Sequence, residues 1–139
     1  MQQQVSLITL GVTDLERALA FYRGGFGWEP VFETPGIVFF QMNGFVLGLW
    51  GKDNLAEDAG RPANGHGAIA LAHNVSSREA VDEVMAVLVG AGATVLRPAD
   101  EPPHGGYRGY VADPDGHAWE IAWNSAWPID EEGRVQFAI

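Results

Sequence analysis

Hydrophobic and polar positions change period along this chain in a set order. Residues 5–12 are a run of β-branched and leucine side chains, the signature of a strand. They lead into Thr13-Asp14-Leu15-Glu16, where Thr13 and Glu16 have capping-box spacing. Leu15, Ala18, Leu19 and Tyr22 then form an apolar stripe at helical spacing, with Gly24-Gly25 as the expected stop. Beyond Pro30 the period is that of strands, over residues 31–33, 37–42 and 45–50. Asn43-Gly44 between the last two predicts a tight hairpin turn with both central residues at positive φ.

The second half repeats this order. Residues 67–73 read as a strand, and Ser76-Ser77-Arg78-Glu79 offers a capping box ahead of Val81, Val84, Met85 and Leu88 at helical spacing. Gly90 and Gly92 end that helix. Short strands follow over residues 94–97, 107–112 and 117–123, and Asp113-Pro114-Asp115-Gly116 forms the turn before the last. Laying Val12-Thr13-Asp14-Leu15 over Ala72-His73-Asn74-Val75 gives an internal duplication with a shift of 60 residues. The chain therefore reads as one domain of two modules, residues 5–52 and 66–124, with a linker over 53–65 rich in Asp, Ala, Gly, Pro and Asn. Residues 125–139 read as a tail carrying Trp127, Val135, Phe137 and Ile139, which either docks on the body or a second subunit or stays disordered.

Three consecutive strands in each half, joined by connections too short for parallel crossovers, argue against a doubly wound nucleotide-binding fold. Gly24-Gly25-Phe26-Gly27 follows a helix rather than a strand, so it terminates and does not cradle phosphate. Composition narrows the function. The 139 residues contain no cysteine, which excludes thiol catalysis, thiolate metal sites and disulfides. Eight Lys and Arg against eighteen Asp and Glu give a net charge of -10, a field that repels nucleic acid and anionic membranes. The longest uncharged stretch, residues 34–51, is broken by Pro35, Gly36, Gln41, Asn43 and Gly44 and is no bilayer span. The first residues carry no signal-peptide pattern, and a soluble cytoplasmic protein is expected.

The opening strand with Val12-Thr13-Asp14-Leu15 and Ala20-Phe21-Tyr22, the paired modules, and Asp113-Pro114-Asp115-Gly116-His117 followed by Trp119-Glu120-Ile121 resemble the vicinal oxygen chelate superfamily. That superfamily includes glyoxalase I, extradiol dioxygenases, fosfomycin-resistance enzymes and bleomycin-binding proteins. The resemblance covers residues 5–124 and implies an α+β fold, two tandem βαβββ modules whose eight strands form a curled mixed sheet around a cleft, with the helices outside. It also implies a homodimer. In metal-using members a divalent ion is held in the cleft by His, Gln and Glu on the first and last strands of the modules.

Carried over, those ligand positions fall on Leu7, on Gly67 by the 60-residue shift, and on Gly48 and Glu120 by aligning Gly44 with Gly116. Only Glu120 offers a donor, and one carboxylate does not hold a transition metal against water and chelators. His66 stands one residue from Gly67, but a one-residue slip turns a strand side chain to the opposite face. No cofactor is expected; a divalent metal at an atypical site is the alternative.

Without a cation, Glu120 among apolar neighbours is expected to have a raised pKa suited to proton transfer, unless Arg108 on the paired strand holds it ionised. His104 lies in a glycine-bearing loop, Pro102-Pro103-His104-Gly105-Gly106, suited to the mouth of a cleft. His73 and His117 read as structural or exposed. Strand alternation sends Leu7, Thr9, Val46, Gly48 and Trp50 to the cleft face, together with Gly67, Ile69 and Leu71, and leaves Trp119 and Trp123 as core. Trp50 offers a flat apolar wall. The expected function is metal-free binding of a small, largely apolar molecule at Leu7, Thr9, Gly48, Trp50, Gly67, Ile69, His104, Arg108 and Glu120. The alternatives are a lyase or dioxygenase of glyoxalase type, using an atypical metal site or Glu120 as acid and base, and a structural dimeric module.

Overall fold

A computed structural model describes residues 1–65 and 67–136 of the 139-residue chain. The chain divides after Gly65 into two compact units. The first contains β1 (Leu7–Val12), α1 (Leu15–Phe21), β2 (Phe32–Glu33), β3 (Ile37–Gln41), β4 (Val46–Gly51) and α2 (Lys52–Ala59). Its sheet has the order β1-β4-β3-β2, with β1 parallel to β4 and the other pairs antiparallel.

Alternation decides which face of this sheet is core. Leu10, Val12, Val38, Phe40, Leu47 and Leu49 are all buried, and they share one face with Leu19, Phe21 and Tyr22 of the helical segment packed against it. Each such side chain stabilises the unit by about 1.5–3 kcal/mol relative to leaving it in water. Asp14, not Thr13, is the N-cap of α1: its carboxylate accepts from the Arg17 amide at 3.1 Å. The expected stop at Gly24-Gly25 is also displaced. The chain continues through both glycines as one π turn, Tyr22–Phe26, and reverses at Gly27 with φ 75°. Packing accounts for this. Tyr22 stacks on Phe26 at 5.8 Å and Phe26 on Trp28 at 4.2 Å, so continued coiling brings three rings together where an early stop would separate them.

Two further expectations change. At the hairpin Gly44 takes φ 94°, but no non-glycine residue among those described has positive φ, so Asn43 does not. The first part of the expected linker is helical, since α2 occupies residues 52–59 and ends on Gly60 at φ 74°. Its Lys, Leu, Ala and Glu are good helix formers. Leu55 holds it down, with Cδ2 only 3.2 Å from where a Cβ on Gly11 would stand. Gly11 lies on the face of the sheet away from α1, so α2 covers that end of the second face.

The second unit contains β5 (Ala70–Asn74), α3 (Arg78–Gly90), β6 (Thr94–Asp100), β7 (Tyr107–Ala112) and β8 (Ala118–Trp123). The order is β5-β8-β7-β6, again with one parallel pair, β5 and β8. Eight strands in two four-stranded mixed sheets, each with its helices, make the fold α+β, one βαβββ module per unit. Ser77 caps α3 by accepting from the Ala80 amide at 3.1 Å, one residue later than the Ser76 position of the expected box. Val81, Met85 and Leu88 are buried against Val111, Trp119 and Ile121 on one face of the sheet. Trp123 is half-buried on that face, where alternation placed it. Gly109 belongs to the same face: a Cβ there would stand 2.6 Å from Met85 Cε and 3.1 Å from the Ala99 nitrogen. β6 runs three residues beyond its expected end and carries two register irregularities around Arg97, which accommodate Pro98 on an edge strand.

The turn before β8 is built as its residues dictate. Asp113 is buried, its Oδ1 accepts from the amides of Asp115 and His117 at 2.9 Å each, and Gly116 takes φ 89°. In the tail, Ile129 bridges Val135 around a turn fixed by Asp130, whose carboxylate accepts from the Glu132 and Arg134 amides. Trp127 is exposed, and the expected apolar contributions of Phe137 and Ile139 lie outside the described residues. No described helix is long and apolar enough to cross a membrane.

Candidate functional site

Each sheet has a face turned away from its α1 or α3 helix, and the candidate residues sort onto these faces by register. In the first unit β1 pairs Leu7 with Val46, Thr9 with Gly48 and Gly11 with Trp50, while β3 sets Ile37 opposite Trp50 and Phe39 opposite Gly48. Leu7, Thr9, Val46, Gly48, Trp50, Ile37 and Phe39 therefore share one face. Apart from the Thr9 hydroxyl, the side chains in this group are apolar. Gly48 is buried beneath them: a Cβ there would stand 3.2 Å from Phe39 Cε1 and 3.5 Å from Leu7 Cδ1. Phe39 was not among the expected site residues, although a hairpin centred on Asn43-Gly44 already sets it opposite Gly48.

In the second unit the corresponding face is polar. β8 pairs Glu120 with Ala72 of β5 and with Tyr110 of β7, and Arg108 pairs with Ala122 and with Asp100 of β6. The Tyr110 hydroxyl donates to Glu120 Oε2 at 2.9 Å. Arg108, the expected partner of Glu120, is instead ion-paired with Asp100, and its guanidinium carbon lies 6.0 Å from the centre of the Tyr110 ring. Arg97 reaches the other oxygen of Asp100 at 3.2 Å. Register explains the correction: Tyr110, not Arg108, lies directly across from Glu120. Counting outward through the Asp113–Gly116 turn finds this pairing, since Ala112 opposes Ala118.

The Tyr110 phenol is pushed up from its ordinary value, chiefly because it donates to Glu120 and secondarily through burial and the carboxylate's charge. Burial lowers His73, which sits opposite Ile121 on the α3 side of the sheet. His104 is exposed in the loop after β6, where Gly105 and Gly106 take φ 96° and 85°.

The same register resets the expected correspondence of the modules. Leu7 pairs with Val46 and Ala70 with Ala118, so Leu7 is equivalent to Ala70, a shift of 63 residues. Gly67 and Ile69 precede β5, and Leu71 pairs with Trp119 on the α3 side. The cause is local. Three residues lead from β5 to the α3 cap position and only two positions separate the end of β1 from the α1 cap, so motif alignment at the strand ends slips the register.

The four places from which relatives supply metal ligands thus hold Leu7, Gly48, Ala70 and Glu120, one carboxylate and three side chains without a donor atom. Phe39 and Leu7 close over the one at Gly48. Among the described residues no three His, Asp or Glu side chains stand together as a cation would require, and His66 lies outside them. The residues present do not fit the family's metal.

The chain is similar to a glyoxalase-related enzyme from Fulvimarina pelagi, 57% identical over 99% of this chain and 100% of that one, with a TM-score of 0.95. It resembles the metallothiol transferase FosB of Lysinibacillus sphaericus, 27% identical over 86% of this chain and 81% of the relative. A lactoylglutathione lyase from Agrobacterium tumefaciens is 25% identical over 94% of this chain and all of that one, with a TM-score of 0.72. The pattern of the Glyoxalase/Bleomycin resistance protein/Dioxygenase superfamily matches residues 4–121. With its two βαβββ modules and that match, the chain belongs to this superfamily.

Proposed function

We propose that this protein binds a small, largely apolar molecule without a metal ion. The observation that carries the reading is the replacement of ligand atoms by hydrocarbon on the first sheet, where Leu7, Phe39 and Trp50 surround a buried Gly48. Such a face gains from covering apolar surface, about 25 cal/mol per Å², and gives a cation nothing to bind. The polar row of the second sheet supplies orientation, and Glu120 is its acidic contact. The test is a thermal-shift screen of hydrophobic metabolites and antibiotics with a chelator present. Hits are expected, and Trp50→Ala weakens them by about tenfold, the loss of one aromatic contact. An unchanged affinity in Trp50→Ala removes Trp50 from the site, and a screen in which compounds bind only when metal is added overturns the reading.

A second reading is an enzyme in which Glu120 moves a proton without a metal. The high similarity to a protein described as a glyoxalase-related enzyme favours it, as does a carboxylate already hydrogen-bonded to a phenol. If a turnover is found, Glu120→Gln abolishes it on this reading, and full activity in that variant clears Glu120 of proton transfer.

A further inference from the structure

Glu120 keeps its place on the polar face although the three positions that would share a cation with it carry no donors. Its two oxygens are not equivalent. Oε2 accepts from Tyr110, and among the described residues that is the one hydrogen bond Glu120 makes. Tyr110 is itself fixed from both ends, by the carboxylate at its hydroxyl and by the Arg108 guanidinium 6.0 Å from its ring centre. Arg108 is in turn anchored to Asp100, which also takes Arg97. The charges along this row balance, two guanidinium groups against two carboxylates, so the row has no need of a further ion. What it lacks is a hydrogen on the second oxygen of Glu120.

We propose that Glu120 is a neutral-donor receptor: Oε1 accepts an N–H or O–H from the bound molecule, and Tyr110 is the positioning residue that holds the carboxylate for it. The inference rests on the metal-free reading of the site and adds the chemical class of the ligand's polar end, an uncharged hydroxyl or amide. A cationic amine is disfavoured because Arg97 and Arg108 stand in the same row. An anion is disfavoured by Glu120 itself.

The test uses a matched pair of probes, benzamide and N,N-dimethylbenzamide, titrated into the intact protein with amide chemical shifts followed by NMR. The two share ring and carbonyl and differ in the N–H donors. Benzamide is expected to bind about tenfold more tightly, the value of one hydrogen bond to a charged acceptor. Glu120→Gln removes most of that preference and leaves the dimethyl compound's affinity unchanged. Tyr110→Phe reduces the preference severalfold with the same lack of effect on the dimethyl compound. The positioning role has its own signature in alkaline absorbance titration: one phenol transition disappears in Tyr110→Phe and moves to lower pH in Glu120→Gln. Equal affinities for the two probes, or no binding of either, overturn the inference, as does a preference that survives Glu120→Gln. The metal-free reading falls separately, on its own screen.

Discussion

Tyr110 and Glu120 show what a single cross-strand pair does on an exposed sheet face. The hydrogen bond raises the phenol, so the pair breaks as the tyrosine ionises, and a tyrosinate beside a carboxylate is a repulsive pair. Replacing Glu120 with Gln is therefore expected to bring one phenol transition down toward the ordinary value of 10.0, read by tyrosinate absorbance; three unmoved transitions would contradict the assignment. Gly109 makes a different point at the same scale. A methyl group there would meet Met85 and the Ala99 backbone, and the backbone does not move aside as a thioether does. Gly109→Ala is expected to cost about 1–3 kcal/mol in denaturant unfolding. Combining it with Met85→Ala leaves the Ala99 part of that cost in place, on top of the cavity made by removing Met85.

At the scale of elements, short helices depend on their caps. α1 has seven residues and α3 thirteen, so losing one cap hydrogen bond matters more to α1. Asp14→Ala is expected to destabilise by about 1 kcal/mol and Ser77→Ala by a similar amount or less. An Asp14→Ala protein with an unchanged unfolding midpoint would contradict the assignment of the cap. These elements also show what could be read in advance. Strand and helix order was legible because half-buried sheets and a helix packed on one side leave a period in the sequence. The cap moved by one residue because Thr13-Asp14 and Ser76-Ser77 each offer two adjacent capping side chains, and the choice is made by the path of the incoming strand. α2 was hidden by a composition typical of loops; its contact with Gly11 is tertiary and leaves no local pattern. The π turn was hidden for the same reason, since glycines signal a stop unless aromatic stacking beyond them outweighs it.

For the molecule as a whole, duplication has produced two sheets of one topology whose faces away from α1 and α3 differ in chemistry. The first carries Leu7, Gly48, Phe39 and Trp50; the second carries Arg108, Tyr110 and Glu120. The absence of donors at Leu7 and Gly48 was visible in the sequence, because the opening motif and the hairpin fix those positions. The second module's equivalent was not, because the connection after β5 has a different length and strand parity depends on counting it correctly. The same unit carries a pH dependence. His73 has a folded-state pKa below its ordinary 6.5 because burial disfavours the imidazolium, so the unfolded chain binds the proton more readily. The stability from neutral His73 is complete above about pH 6.5 and is lost as pH falls through the lowered folded value. His73→Gln is expected to flatten that part of a thermal-midpoint profile, and an identical slope would contradict it.

The central claim is that the family's cation has no seat in this chain, and native mass spectrometry with calorimetric titration of Mn, Fe, Ni and Zn tests it most directly. The account predicts no tight one-to-one binding of any of the four, and unaltered Glu120→Gln behaviour. One ion held per chain, and released by Glu120→Gln, would contradict it.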